Sequence, residues 1–332
     1  MPRFSAGVRD WAVPKPTYSF VIPVRDEAEC LPELTRRLGS VIDQLDGEAE
    51  IIFVDDGSTD ESFRILCDLR ATDERVKVIR LARNFGHQAA ITAGFDIALG
   101  EATVVMDADL QDPPELVAAL VERWRDGFDV VYGVRRRREG DPVHRRLGTG
   151  IFYRTLRHLT AVDIPAEAGD FRLVDRRVLD EFKQLRERNR YIRGMFAWLG
   201  FRQTGVAYER DRRYAGSTGY RLRDLTKFAL DAVVGFSEVP LRFMLLIGFS
   251  VAAISFAIGV WALVAKLAGS SAVPGWASVM IVVSFLGGVQ LAVVGVLGLY
   301  VARIYDEVRG RPLYVVAETC GLDSPVSNDG EH

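Results

Sequence analysis

Residues Thr103 to Glu115, TVVMDADLQDPPE, join a short apolar run to an acidic turn. The run Thr103 to Met106 stops at two carboxylates, Asp107 and Asp109, with one small residue, Ala108, between them. At the end of a buried strand, such an Asp-X-Asp sets two hard oxygen ligands at a sheet edge. Mg2+ and Mn2+ favour oxygen ligands, and they commonly take one or two carboxylates and leave positions for phosphate oxygens. The pattern therefore reads as a place to hold a diphosphate. It also fits a strand end capped by Asp before a Pro-terminated turn, and the rest of the chain has to separate the two.

Upstream, strand and helix patterns alternate. Tyr18 to Val24, Glu50 to Val54, Val76 to Leu81, Thr103 to Met106 and Val130 to Gly133 read as strands. Helical spacing falls between them, over Glu29 to Leu45, Glu61 to Ala71, His87 to Leu99 and Pro114 to Asp126. Short continuous apolar strands between helices predict a parallel sheet covered on both faces. Ligands on such sheets bind beyond the carboxyl ends of the strands. Three of those ends are distinctive: PVRDE after the first strand, DDGSTD after the second and DAD after the fourth. The acids of IIFVDDGSTD, residues 51 to 60, can accept hydrogen bonds from ribose or a base, and they are equally good turn residues. No GxGxxG or Walker A sequence occurs, so hydride transfer and P-loop hydrolysis lack their usual phosphate cradles.

Downstream the chemistry changes. The chain has 332 residues and a formal net charge of −3, so no global basic field argues for nucleic acid. Residues 243 to 265 and 267 to 302 carry no charge. Each can supply the roughly 20 apolar residues that cross a hydrocarbon core. Joined by the turn Gly269 to Gly275, they predict a membrane hairpin with spans near 243–265 and 278–301. Arg210, Arg212, Arg213, Arg221, Arg223, Lys227 and Arg242 precede it, and Arg303, Arg309 and Arg311 follow; the loop offers only Lys266. The positive-inside rule places both flanks in the cytoplasm. Trp261, Trp276 and Tyr300 suit interfacial positions, and the N-terminal residues lack the apolar core of a signal peptide. Residues 1–16 read as a loose leader, 218–240 as a juxtamembrane amphipathic helix, and 303–332 as a cytoplasmic tail frayed beyond Val316. Pro142 to Val162 reads as a basic amphipathic helix, suited to a membrane interface or to packing on the sheet. Cys30, Cys67 and Cys320 show no CxxC spacing, and in a reducing compartment free thiols are expected.

Together these motifs resemble family 2 glycosyltransferases. VIPVRDE, VDDGSTD, RNFGHQAAITAGFDIALGE (residues 83 to 101) and MDADLQDPPE carry the resemblance over residues 17 to 135. It implies a GT-A fold, Rossmann-like with a mostly parallel sheet, over about residues 17–217. It also implies nucleotide-sugar contacts from Pro23, Arg25, Glu27, Val54, Asp55, Asp56, Ala108 and Asp109. Asp107, Asp109 and Gln111 become the residues for Mg2+ or Mn2+. GDFRLVDR at 169 to 176, RRYAGSTGY at 212 to 220 and RIYDEVRGRPLY at 303 to 314 narrow the resemblance to the polyprenyl-phosphate subgroup. That subgroup includes dolichol-phosphate mannose synthases and bacterial bactoprenol glucosyl and aminoarabinose transferases. The chain departs from it at Arg25-Asp26, where Tyr-Asn is usual, and at Gly219, where Lys is usual.

The resemblance implies a nucleotide-sugar donor, a polyprenyl phosphate acceptor and work at the cytoplasmic membrane, with UDP-glucose the expected donor and UDP-GlcNAc, UDP-galactose, other UDP-sugars and GDP-mannose open. The acceptor phosphate would be held by Arg135, Arg145, Thr149 and Arg213, with Ser217 and Arg172 as further candidates. Asp107, Asp109, Arg135 and Arg213 then form the expected catalytic set. Arg136, Arg137, Arg138, Arg221 and Arg223 suit lipid headgroups instead. His87 is expected to be structural or to line the nucleotide pocket. A processive synthase is disfavoured because no QxxRW occurs, and a silent binding partner because Asp107, Asp109 and Gln111 are intact. Two-span relatives suggest a homo-oligomer, a tetramer; Gly287, Gly288, Gly295 and Gly298 would allow close helix packing.

Overall fold

The computed structural model describes residues 16–135, 168–209, 239–267 and 275–322. They divide into two compact units, one holding 16–135, 168–209 and 312–322, the other 239–267 and 275–311.

The first unit is α/β. In chain order its elements begin with β1 (Tyr18–Val24), α1 (Leu31–Ile42), β2 (Ala49–Asp55), α2 (Ser62–Thr72), β3 (Val76–Leu81) and α3 (His87–Ile97). Next come β4 (Ala102–Val105), a 3₁₀ turn (Pro114–Leu116), α4 (Val117–Arg125), β5 (Val130–Arg135) and β6 (Ala168–Asp175). The last are α5 (Arg176–Gln184), α6 (Ile192–Leu199), β7 (Gln203–Tyr208) and β8 (Val316–Cys320). The sheet runs β7-β5-β6-β4-β1-β2-β3-β8. Pairs β1–β2, β2–β3, β1–β4 and β5–β7 are parallel, while β6 and β8 run against their neighbours.

β1 is buried at every position, which is why its sequence is apolar on both faces apart from Ser19, whose hydroxyl is hydrogen-bonded to Glu50. One face packs Tyr18, Phe20, Ile22 and Val24 with Leu31, Leu34 and Leu38 of α1. On the other, α3 lies so close that a Cβ at Gly94 would stand 2.3 Å from Val21 Cγ1. Phe95, Phe182 and Phe196 fasten α3, α5 and α6 together, with ring centroids 4.6 to 6.1 Å apart. Because β1, β2 and β4 are parallel, their carboxyl ends open on one edge, and Val24 is level with Asp55. PVRDE, DDGSTD and DAD therefore converge.

Two strands, β6 and β7, go beyond the sequence expectation. β6 inserts antiparallel between β4 and β5, which sets Arg172 level with Val105. The carboxyl-terminal segment also differs from the expected frayed tail. β8 closes the sheet edge against β3, Ala82 N–H donates to the Val315 carbonyl, and Tyr314 Oη donates to Asp96 at 2.8 Å. The sheet's need to cover β3 outweighs the polar character of the segment. This docking also corrects the thiol expectation: Cys67 on α2 and Cys320 on β8 are bonded, with Cα atoms 6.0 Å apart. Cys30 is free and buried. A separation of 253 residues leaves no local spacing to signal the pair.

The second unit contains α7 (Val239–Leu267) and α8 (Trp276–Val308). One stretch among the described residues, Phe285–Val308, is long and apolar enough to cross a membrane; a shorter apolar stretch spans Leu246–Ile258. Phe249, Phe256, Trp261, Phe285 and Leu291 are exposed, which distinguishes these helices from the core of a soluble domain. The expected helix at 142–162 lies outside the described residues, as does the expected juxtamembrane helix at 218–240 apart from residues 239 and 240, which open α7.

In a Cys30→Ser background, mild oxidation is expected to give an intramolecular Cys67–Cys320 crosslink, read as a tryptic disulfide peptide by mass spectrometry. Two freely alkylated thiols after that treatment would contradict the placement of β8.

Candidate active site

The first wall is built from two strand ends that lock together. Asp55 is fully buried, and its Oδ1 accepts the Ser58 N–H at 3.0 Å, which closes the turn after β2. Its Oδ2 faces Arg80 Nε at 3.4 Å. Gly57 has φ +66°, and a Cβ there would lie 2.7 Å from the Arg83 carbonyl carbon, so only glycine suits this turn. Both oxygens of Asp56 accept backbone N–H groups, from Phe85 at 2.7 Å and Gly86 at 3.0 Å. Burial raises the Asp56 pKa against those two donors. Asp56 thus ties β2 to the loop that launches α3. Arg25 donates to the Asp56 carbonyl at 3.0 Å, Asp26 Oδ1 accepts Thr59 N–H at 2.7 Å, and Glu27 N–H donates to Ser62 Oγ at 3.1 Å. Arg25-Asp26 therefore joins the first motif to the second. Pro23 and Val54 face each other in register inside the buried sheet.

The second wall is the end of β4. Ala108 and Asp109 are buried, and Asp109 Oδ1 accepts the Gln111 N–H at 3.1 Å. Leu110 takes φ 59°, a left-handed bend that turns the chain back after Asp109. Asp107 Oδ1 lies 3.6 Å from His87 Nε2, and Asp170 Oδ2 lies 3.5 Å from the same nitrogen. Arg193 of α6 grips Asp170 with two hydrogen bonds of 2.7 and 2.9 Å. An acid–imidazole–acid–guanidinium string results. Burial raises the Asp107 pKa to about 6 against the opposing His87 charge, with Asp170, Asp112 and Asp109 adding to the rise. Burial would lower His87, but Asp170 and Asp107 outweigh it and raise its pKa to about 9. Burial would raise Asp170; His87 and Arg193 instead hold its carboxyl well below the usual range.

This donor set fits a divalent cation. Two hard carboxylates close a strand end, and a cation would offset the burial that chiefly lifts Asp107 together with the smaller push from Asp170, Asp112 and Asp109. Protein ligands alone do not complete a cage: among the described residues no group of three or more His, Cys, Asp or Glu is arranged to hold a metal. Phosphate oxygens would have to supply the remaining positions.

Arg135, at the end of β5, is partly buried and held by Tyr208 and Asp112. Arg172 differs from the other expected acceptor arginines. It is 3% exposed, donates to the Gly169 carbonyl at 3.0 Å and stacks over Phe196. Burial lowers its pKa to about 10. It anchors the start of β6 rather than facing open space. Arg145, Thr149, Arg213 and Ser217 lie outside the described residues, as does Gly219. Sequence reasoning missed Arg193, Asp112 and Tyr208. Arg193 had a signal, an arginine within the apolar run YIRGMF; Asp112 lies inside the quoted acidic motif, and Tyr208 had none.

Comparison with known proteins shows the family of the chain. The model of glycosyl transferase family 2 matches residues 19–183. An uncharacterized glycosyltransferase of Bacillus subtilis (strain 168), YkcC, is 44% identical over 92% of this chain and 95% of its own. The SfII prophage-derived bactoprenol glucosyl transferase of Shigella flexneri is 37% identical over 91% and 97%. Among solved structures, a Mycobacterium tuberculosis glucosyl-3-phosphoglycerate synthase complex overlaps 66% of this chain and 78% of its own, at 20% identity and TM-score 0.43. The chain belongs to glycosyltransferase family 2. It is accordingly an enzyme that transfers a sugar, with a GT-A catalytic unit.

The His87 string predicts a pH dependence in metal-free protein. A histidine whose pKa rises on folding stabilises the fold fully below its unfolded value, near 6.5. That contribution fades as pH climbs through about 9. In EDTA, the melting temperature is expected to fall between pH 6.5 and 9.5, and His87→Asn is expected to flatten the decline. Equal declines in both proteins would remove the string from the account.

Proposed function

We propose that the enzyme transfers one sugar from a nucleotide sugar, UDP-glucose first among candidates, to polyprenyl phosphate at the cytoplasmic membrane face. The observation that carries this reading is the joining of two unlike ends in one loop. Asp107 and Asp109 offer oxygen ligands, and three residues after Asp109 the same segment holds Arg135 through Asp112. The Shigella relative, named a bactoprenol glucosyl transferase, supports the lipid acceptor.

The chemistry follows from charge. A lipid phosphate monoester has a second pKa of about 6, so it is largely dianionic at neutral pH. It needs no strong general base to attack. The protein must instead hold two polyanions together against their repulsion. Asp107 and Asp109, with Gln111, would hold Mg2+ or Mn2+, which supplies Lewis-acid neutralisation of the leaving diphosphate. Pro23, Arg25, Glu27, Val54, Asp55 and Asp56 border the nucleotide in this reading. Arg135, with Arg145, Thr149, Arg213 and Ser217, binds the acceptor phosphate; arginine suits that role through its planar, bidentate fork. Attack is in line at the anomeric carbon with inversion, so an α-linked donor gives a β-linked lipid phosphosugar.

The two-span topology is supported by connectivity. β8 follows α8 yet pairs in the same sheet as β3. The chain leaves and re-enters one folded unit, which supports an even number of membrane crossings. The apolar stretch of α7 then serves as the first span, and flanking arginines keep both ends cytoplasmic. Close helix packing along the glycines of α8 is compatible with a homo-oligomer.

Purified full chain with Mn2+ or Mg2+ is expected to move radiolabelled sugar from UDP-glucose, or from another UDP- or GDP-sugar, into a butanol-extractable undecaprenyl lipid. Asp109→Ala is expected to lower kcat by about 10³-fold or more, because charge neutralisation at the leaving group is lost, while membrane insertion is retained. No transfer with any donor, or full activity in Asp109→Ala, would overturn the proposal.

A further inference from the structure

The Arg135 guanidinium is held by two side chains, Tyr208 and Asp112. Arg135 ends β5 and Tyr208 ends β7, and the two are partners in register. Arg135 Nε donates to Tyr208 Oη at 3.1 Å. The same hydroxyl donates to Asp112 Oδ1. Asp112 Oδ2 lies 3.4 Å from Arg135 Nη2, which closes a three-membered ring of side chains. Asp112 is fully buried and stands one residue beyond Gln111.

The backbone around this ring is cut to fit it. A Cβ at Gly133 of β5 would stand 2.8 Å from Tyr208 Cε1, so glycine gives the phenol ring its place across the strand. A Cβ at Gly169 of β6 would stand 3.4 Å from Arg135 Nη2, so the guanidinium lies flat on that backbone. Phe171 meets the Tyr208 ring edge to face at 6.3 Å. The ring of contacts engages Nε and Nη2; among the described residues Nη1 makes no hydrogen bond.

We propose that Asp112 and Tyr208 are positioning residues that fix Arg135 so that its Nη1 side is presented to the acceptor phosphate. This rests on the acceptor role of Arg135 proposed above. Tyr208 sets the angle of the guanidinium plane, and Asp112 ties that plane to the loop carrying Asp107 and Asp109. Donor and acceptor ends then share one rigid connection. Losing an aimed charge-assisted hydrogen bond weakens acceptor capture without changing donor contacts.

The test uses the full chain in detergent, undecaprenyl phosphate as acceptor, and UDP-glucose or whichever UDP- or GDP-sugar supports turnover. Tyr208→Phe keeps the ring and removes the hydroxyl. It is expected to raise the acceptor KM by about tenfold, as for one misdirected charged hydrogen bond. Donor KM and kcat are expected to stay within about twofold, and UDP–Mn2+ affinity by calorimetry to be unchanged. Gly133→Ala, which displaces the ring, is expected to give the same split. Arg135→Gln is expected to raise the acceptor KM at least as much, and adding Tyr208→Phe to it to change nothing further. If Arg135→Gln leaves the acceptor KM unaltered, the acceptor reading fails and the clamp with it. If Arg135→Gln raises it while Tyr208→Phe and Gly133→Ala do not, the clamp alone is wrong. A loss of melting temperature without a change in acceptor KM would make the ring purely structural.

Discussion

Asp107, Asp109, Asp112 and Asp170 gather around the carboxyl end of β4, and the burial of this acidic cluster is the constraint that the site must resolve. Each is answered differently. Asp170 is gripped by Arg193 and faced by His87. Asp112 is met by Arg135 and by the Tyr208 hydroxyl. Asp109 accepts the Gln111 backbone N–H. Asp107 shares His87 with Asp170 and keeps the most strained balance, with its pKa raised to about 6 chiefly by burial. A divalent cation entering with a diphosphate would complete that balance, and two negative substrates could then meet.

The surrounding fold serves this arrangement. Parallel strands β1, β2 and β4 bring three acidic ends to one edge, and β6 threads between β4 and β5 to add Asp170. Helix α3 begins with His87 directly after a loop that Asp56 fastens from beneath. The returning β8 covers the far edge and makes the catalytic unit from chain on both sides of the apolar helices. Membrane attachment and catalytic framework are therefore one continuous design, with the sheet sealed by a strand that lies beyond the last helix.

The α/β alternation was legible in sequence because the buried parallel strands are short, mostly apolar runs and helices such as α1 repeat apolar residues at helical spacing. Tyr18–Val24 and Val76–Leu81 were read to the residue. The acids at 55–56 and 107–109 were legible because strand ends before tight turns are short and distinctive. The rest depended on contacts remote in sequence. β8 is short and polar, and it becomes a strand only because β3 offers an open edge. Cys67 and Cys320 meet for the same reason. Tyr208 looks like any edge-strand tyrosine until Gly133 leaves space for its ring. Arg172 shares a motif with Asp170, yet strand register turns it inward, where burial and two backbone carbonyls hold it.

The most direct test of the central claim is the position of Mn2+, located by anomalous scattering in crystals of the full chain grown with Mn2+ and UDP. One peak is expected in direct contact with carboxylate oxygens of Asp107 and Asp109 and with diphosphate oxygens, with Arg135 still held by Asp112 and Tyr208. A peak bound away from both carboxylates, or a diphosphate seated with no metal between it and Asp109, would contradict that claim.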